Sequence, residues 1–391
     1  LVKIKLIKGI TYSLITTSLL MINPIGANAS WKQNNIGWWY TNDNSWVTGW
    51  NKINGKWYYF YSDGYMANNT SIDGYILDSN GAWINNEPTA SNTSSNEKIV
   101  DITVGTAQEF VNAIGSNKRI ILKPGVYNLS DINQINNSDN SVSWVTVEDG
   151  KELNIKGIHN LTIEGMDSGK VEIKVSPRYA NIVNFTNVNN ITIKNIVAGH
   201  TPSPYECNAG VLKFTASNDI SIINSELYGC GSIGINLYSV KNLEVSNSTI
   251  DHCSLRAVQI SNSEAIKFTE SKLVNHEAFS NIIMVNSSKN IVFEKCEMTN
   301  NNNFGWSYIE ALDKSNILLD KCVIKNNSQA VNSDMKFDKT YFFNTVDYTG
   351  ISNSTITIKD SYISNNKCDY FTDNKESIKF ENCTINNNDW K

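Results

Sequence analysis

The sequence predicts an all-β chain, in which a long coil of short parallel strands follows a small module of stacked hairpins. Two observations carry this reading. Residues 243–253, 266–276 and 317–327 (LEVSNSTIDHC, IKFTESKLVNH, ILLDKCVIKNN) share one pattern. Two apolar residues two apart lead into a polar bend, then a small residue, then another apolar residue two further on, then a polar turn. Self-similarity at a period of about 20–50 residues marks a repeat architecture. Tryptophan is also uneven, since seven of the ten lie between Trp31 and Trp83. That shift sets off a separate N-terminal module. The net charge of -5 and the lack of a long basic block exclude nucleic acid as a partner.

Residues 1–29 read as a signal peptide. Lys3, Lys5 and Lys8 form the positive region, Ile10 to Ile22 the apolar core, and Ala27-Asn28-Ala29 a small-x-small cleavage site. The apolar run is short for a membrane span, so no span is expected after processing. The expected location is outside the cell, on the cell wall or cell surface.

Residues 30–86 alternate aromatic clusters with the turns Asn54-Gly55, Asp63-Gly64 and Asp73-Gly74. Asn-Gly and Asp-Gly between apolar runs are strong hairpin signals. Hairpins this small build no core alone and must stack on one another. The stretches GWNKINGKWYYF and SDGYM resemble the cell-wall-binding repeats of the choline-binding type. That resemblance implies aromatic cages for a choline-bearing wall glycopolymer, with Trp50, Trp57 and Tyr65 at the cage positions. The physical basis would be attraction of a quaternary ammonium to ring faces. The last unit, IDGYILDSNGAW, departs from the pattern: Thr70-Ser71 stands where Gly-Trp would begin it. One or two cages are therefore expected. Residues 87–97 (EPTASNTSSNE) read as a linker.

The second domain spans residues 98–391. Thr106 and Glu109 form a capping box opening a helix with Phe110, Val111 and Ile114 on one face, which stops at Gly115. The coil follows. Its first inward position is Leu161, Ile191, Ile220, Leu243, Ile266, Ile291, Ile317, Ile356 and Ile378, at spacings of 30, 29, 23, 23, 25, 26, 39 and 22. Further columns lie five residues later (Ser225, Ser248, Ser271, Cys296, Cys322, Ser361, Cys383), seven later, and six earlier. Each rung thus has three strands of alternating faces. Asparagine recurs at residues 160, 190, 242, 290 and 316, and again at 275, 300, 326, 365 and 387, as stacked structural amides. The short capping helix, the Pro124-Gly125 turn into Tyr127 and these rungs resemble right-handed parallel β-helix proteins of the pectate-lyase-like superfamily. That implies a right-handed parallel β-helix of nine to ten rungs with an N-terminal helix cap. Such folds host polysaccharide lyases, hydrolases and epimerases as well as adhesins and spacers, so the site must decide.

Excess length beyond the rung frame must project as loops, and two stand out: residues 200–209 (HTPSPYECNA) and about 328–352. Beside the first lies an outward column of Lys213, Asn236, Gln259, Met284 and Glu310, with Arg256 close by. His252, His276 and Glu277 sit in the adjoining turn, and His200, His252 and His276 are expected to project from one side. Elimination from a uronate needs a cation for the carboxylate and a base for the α-proton. Lys213 and Arg256 are the candidate cations, and His200 and His276 the candidate bases. Tyr205, Glu206, Asn236, Gln259 and Glu310 are candidate groove residues. Glu294 and Asp320 are read as a surface charge ladder with Lys295 and Lys321. GHTPSPYEC and LYGCGSIGI also look like bacterial surface β-helix proteins of unassigned activity, which supplies no catalytic residues.

Cys207, Cys230 and Cys253 are read as a trio containing one structural disulfide. Cys296, Cys322 and Cys383 share the small column and are read as packed thiols. There is no zinc-like spacing, and calcium is left open without a motif. The sequence therefore supports a secreted, wall-anchored surface protein whose β-helix presents or binds carbohydrate. The alternative is a polysaccharide-active enzyme, first a lyase on acidic glycan, then a hydrolase or epimerase.

Overall fold

The computed structural model describes residues 30–83 and 98–390, apart from positions 35–36, 43–44, 62, 69, 73–74, 79, 204, 230, 330–338 and 348. The expected signal peptide, the expected linker, the Asp73-Gly74 pair, Cys230 and much of the second loop therefore lie outside the described residues. The chain divides into two units, residues 1–89 and 90–391. Among the described residues no helix is long and apolar enough to cross a membrane.

In the first unit, strands Gly49–Ile53 and Lys56–Phe60 form an antiparallel hairpin turned by Asn54 and Gly55, both at positive φ. Its inner face seals Ile53 and Phe60, which pack with Met66, Trp31, Tyr40 and Tyr58. Backbone bonds tie neighbouring hairpins together: Met66 N–H donates to the Trp38 carbonyl and Trp83 N–H to the Trp57 carbonyl. The hairpins thus stack, as their size requires.

The second unit is a parallel β-helix. Its helix Ala107–Ala113 buries Phe110 and Val111, and the capping box closes at both ends. Glu109 N–H donates to Thr106 Oγ1, and Gly105 N–H donates to the Glu109 carboxylate. Three sheets of eleven, ten and ten strands then run the length of the coil. In each rung the chain passes through the first sheet (Lys241–Ser246, for example), the second (Thr249–Asp251) and the third (Arg256–Ser261). The first inward column pairs residue for residue from Leu161 through Ile220 and Ile317 to Ile378. Inside, rings stack at the strand spacing: Phe185 on Phe214 and Phe268 on Phe293 at 4.7 Å, and Tyr308 on Phe342 at 4.6 Å.

The corners explain the asparagine content. Asn195, Asn224, Asn247, Asn275, Asn300 and Asn326 all have φ between 47° and 58°. This left-handed region is one that asparagine tolerates better than most residues. The residue after each bend turns inward and joins a hydrogen-bonded ladder between rungs. Ser225 N–H donates to Ser248 Oγ, Ser248 N–H to Ser271 Oγ, and Cys322 N–H to Ser361 Oγ. A second ladder runs through Ser263, Ser288, Ser315 and Ser354. At the third corner the buried amides are Asn301, Asn327 and Asn366, one residue beyond the expected column. The expected residues Asn300, Asn326 and Asn365 form only a loose outer stack, with N···O distances of 3.4 Å.

Candidate functional site

Two surfaces carry side chains that the cores do not use. On the hairpin, residues opposite each other or two apart share a face. Trp50 pairs with Tyr59 and Lys52 with Trp57, so Trp50, Trp57 and Tyr59 all lie on the outer face. The Trp50 and Tyr59 rings meet edge to face at 5.4 Å, and Trp57 is exposed. Tyr65 belongs to a different group. Its ring edge meets Trp39 at 6.0 Å, and its hydroxyl accepts a hydrogen bond from Asn34 Nδ2 at 2.9 Å.

On the β-helix, Asn184, Lys213, Asn236, Gln259, Met284, Glu310 and Asn344 are successive register partners on the outer face of the third sheet. Strand alternation puts them there, because the residues on either side of each point inward. Lys213 is half-buried. Arg256 lies beside the column, and its guanidinium donates to Gln259 Oε1 (2.9 Å), Asn281 Oδ1 (3.1 Å) and Ser280 Oγ (2.8 Å). Burial pulls the Arg256 pKa down, and the nearby Glu310 carboxylate opposes that. Glu310 is only 6% exposed. It accepts from Trp306 Nε1 (2.8 Å), Asn344 Nδ2 (2.7 Å) and Asn281 Nδ2 (3.1 Å). Asn281 thus links the cation to the anion. It was not foreseen, although it stands two residues before an inward isoleucine, in register with Arg256.

The histidines require correction. His200 and His276 do not project; they are 2% and 1% exposed. His200 ends the strand Val197–His200 in register with buried Val175, so strand alternation points it inward. His276 follows the left-handed Asn275, and the chain turns its side chain inward there. His200 Nε2 lies 2.9 Å from the Ala180 carbonyl, and burial lowers its pKa. His276 occupies an asparagine-ladder position. Its Nδ1 accepts from Cys253 N–H at 3.0 Å, and its own N–H donates to Asn301 Oδ1. Its Nε2 faces the Ile250 carbonyl without closing a hydrogen bond. Burial first, and then His252, push its pKa down to about 3. Neither imidazole can reach a ligand on the third sheet.

The 200–209 loop leans on the corner between the second and third sheets. Tyr205 donates to the Asn275 carbonyl at 2.9 Å, and its ring lies 6.1 Å from that of His252. Burial, with Glu277, Cys253 and Asp251 nearby, pushes its pKa up to about 12. Glu206 pairs with Arg178 at 3.0 Å. Among the described residues neither Tyr205 nor Glu206 bonds to the outer column, so the loop and the column are two places. His252 is half-buried and stands 3.2 Å from Asp251, whose pKa burial raises.

Cys207 is disulfide-bonded, whereas Cys253 is a free thiol sealed in the core. Cys253 therefore drops out of the expected trio; its sulfur lies 3.5 Å from the Asp251 carbonyl. Glu294 and Asp320 sit beside Lys267 and Lys321 at 2.7 and 3.8 Å. No group of three or more His, Cys, Asp or Glu side chains could hold a metal ion among the described residues.

The choline-binding repeat family matches residues 47–77. A solved structure of choline binding protein F from Streptococcus pneumoniae, determined with a peptidoglycan analogue, is 46% identical over 14% of this chain and 19% of its own, at a TM-score of 0.14. The match thus spans about a fifth of that protein. Pectate lyase Pel9A is 12% identical, with 72% of each chain covered and a TM-score of 0.47. An alginate lyase from Paenibacillus sp. is 8% identical, covering 74% of this chain and 99% of its own at a TM-score of 0.46. A search of curated proteins found no significant match.

Proposed function

We propose that the protein is exported, held on the cell wall by its aromatic hairpins, and displays the β-helix as a carbohydrate-facing rod. The observation that carries the reading is the two-faced hairpin at residues 49–60. Its inner face is sealed by Ile53 and Phe60, yet its outer face keeps Trp50, Trp57 and Tyr59 together. Aromatic rings that the core does not need, within the stretch matching a choline-binding repeat, suit a quaternary ammonium on a wall glycopolymer. The test is retention of the purified protein on a choline-bearing resin, with elution by free choline. Flow-through of folded protein would overturn the choline assignment.

A second reading, cleavage of a polysaccharide, is favoured by Arg256 and Glu310 meeting through Asn281 along the outer column of the third sheet, although Glu310 and Asn281 are themselves buried. With His200 and His276 sealed, an elimination would need its base elsewhere, and the side chains at or beside the first loop that could be asked to serve are Tyr205, Glu206, Asp251, His252 and Glu277. Incubation with uronate polysaccharides, following the absorbance of unsaturated products, decides this. No product from folded protein would rule out the lyase.

A further inference from the structure

Beside the Arg256–Glu310 network runs a row of aromatic rings that neither core nor hairpin accounts for. Phe279 stacks on Phe304 at 5.6 Å, at equivalent places on neighbouring rungs just after the short strands Glu277–Ala278 and Asn302–Asn303. Next to them Trp306 meets Tyr341 at 5.9 Å, and Tyr341 meets Tyr370 at 5.8 Å on the following rung. Phe279 is 45% exposed, and the other four are half-buried. Five rings on one edge go beyond the scattered exposure normal for a protein surface.

The polar groups beside them are fixed. Glu310 orients the Trp306 indole through its Nε1–H, and Arg256 bonds Ser280, the residue directly after Phe279. Rings and amides are therefore held in place before any ligand arrives, which lowers the ordering cost of binding. The combination suits a sugar. One face of a pyranose offers C–H groups to the electron-rich face of an aromatic ring, and its rim offers hydroxyls to carboxamides and carboxylates. The row repeats at rung spacing, which suits a linear polymer rather than a compact ligand.

Charge narrows the class. Arg256 and Glu310 offset each other through Asn281. Among the described residues one further cation, Lys339, stands over a ring of the row, 5.8 Å from Tyr370 at its far end, so the row has no run of free cations to match the repeating carboxylates of a uronate chain. We propose that this edge is a stacking subsite for a neutral glycan, a chain of uncharged pyranose rings laid along the rod from Phe279 to Tyr370. The proposal rests on the carbohydrate-facing reading of the β-helix and is independent of choline binding by the hairpins.

The test uses the full chain with free choline present to occupy the hairpins. Its mobility is compared in native gels containing hydroxyethylcellulose, galactomannan, polygalacturonate or alginate. Retardation by at least one neutral polymer and by neither uronate polymer is expected. Phe279→Ser and Tyr341→Ala should each weaken that binding about tenfold, with circular dichroism unchanged; Phe279 is exposed enough that its loss leaves the core intact. Stronger retardation by a uronate polymer, no retardation by either neutral polymer, or wild-type binding in folded Phe279→Ser would overturn the proposal. Choline-resin retention, measured in parallel, should be equal in all three proteins. Its failure in the wild type would overturn the anchor and leave this subsite standing.

Discussion

His276 Nδ1 accepts a hydrogen bond from the Cys253 amide at 3.0 Å, so this buried imidazole must be neutral at that nitrogen. In the unfolded chain a histidine takes up a proton near pH 6.5, whereas in the fold burial pushes that pKa down to about 3. Between these values the unfolded state binds a proton that the folded state does not. The associated stability is complete above about pH 6.5 and is lost as pH falls towards 3, at roughly 1.4 kcal/mol per unit. His276→Asn, which copies Asn301 one rung on, should remove this slope. Urea unfolding of both proteins at pH 7.5, 5.5 and 4.5 checks it, and parallel curves would refute the buried neutral imidazole.

The hydroxyl ladder makes a paired prediction. Ser248 accepts from Ser225 N–H and donates to the Ser246 carbonyl, and it is buried. Ser248→Ala strands a buried N–H and should cost about 1–3 kcal/mol. Cys322→Ser places a hydroxyl where the next rung already has Ser361, and should change stability by less than about 1 kcal/mol. Equal losses in the two variants, read from urea midpoints, would show that the ladder is not the source.

The cysteines can be counted chemically. Cys207 is bonded, while Cys253, Cys296, Cys322, Cys368 and Cys383 are free thiols. Alkylation in denaturant without reductant should therefore label these five and leave Cys207 unlabelled, and a non-reduced digest should release the Cys207 peptide joined to another cysteine peptide. A pair containing Cys253 would contradict the sealed thiol.

At the N-terminal end, Thr106→Ala removes the acceptor for Glu109 N–H and should cost about 1 kcal/mol. Trp57→Ala, on the outer face of the hairpin, should weaken choline-resin retention without changing the unfolding of the β-helix. Loss of β-helix stability in that variant would mean that Trp57 has a structural role.

Most of the register was legible in the sequence, because an inward column of Ile, Leu, Val and Phe cannot slip by one residue without turning polar groups into the core. The corners were not. Counting along the chain marks where a bend falls, but not that the residue after a left-handed bend turns inward. That count sets His276 on the surface and the buried amides one position early, while His200 is hidden for another reason: it is an inward position of a strand in register with Val175. The outer column from Lys213 to Glu310 was readable, since it lies midway between two inward residues. Asn281 and the aromatic edge escaped notice. Trp306, Tyr341 and Tyr370 fall at unequal spacings around the longest insertion, where the repeat gives no frame for comparing them.

The three corners differ in slack. From the first sheet to the second, two residues separate the strands in rung after rung, as at 247–248, 270–271, 295–296 and 321–322. Every one of them is spoken for by a bend or a ladder. Between the second and third sheets the connection varies from the four residues 229–232 through the eleven residues 201–211 to the fifteen residues 326–340. The third-to-first corner holds two or three residues from 157–158 to 313–315 and lengthens only later, to the ten residues 345–354. Most length change therefore leaves between the second and third sheets, on the flank that carries the aromatic row and the 200–209 loop. Descendants of this chain could therefore remodel what the rod touches by lengthening a single edge, while the coil beneath keeps its count.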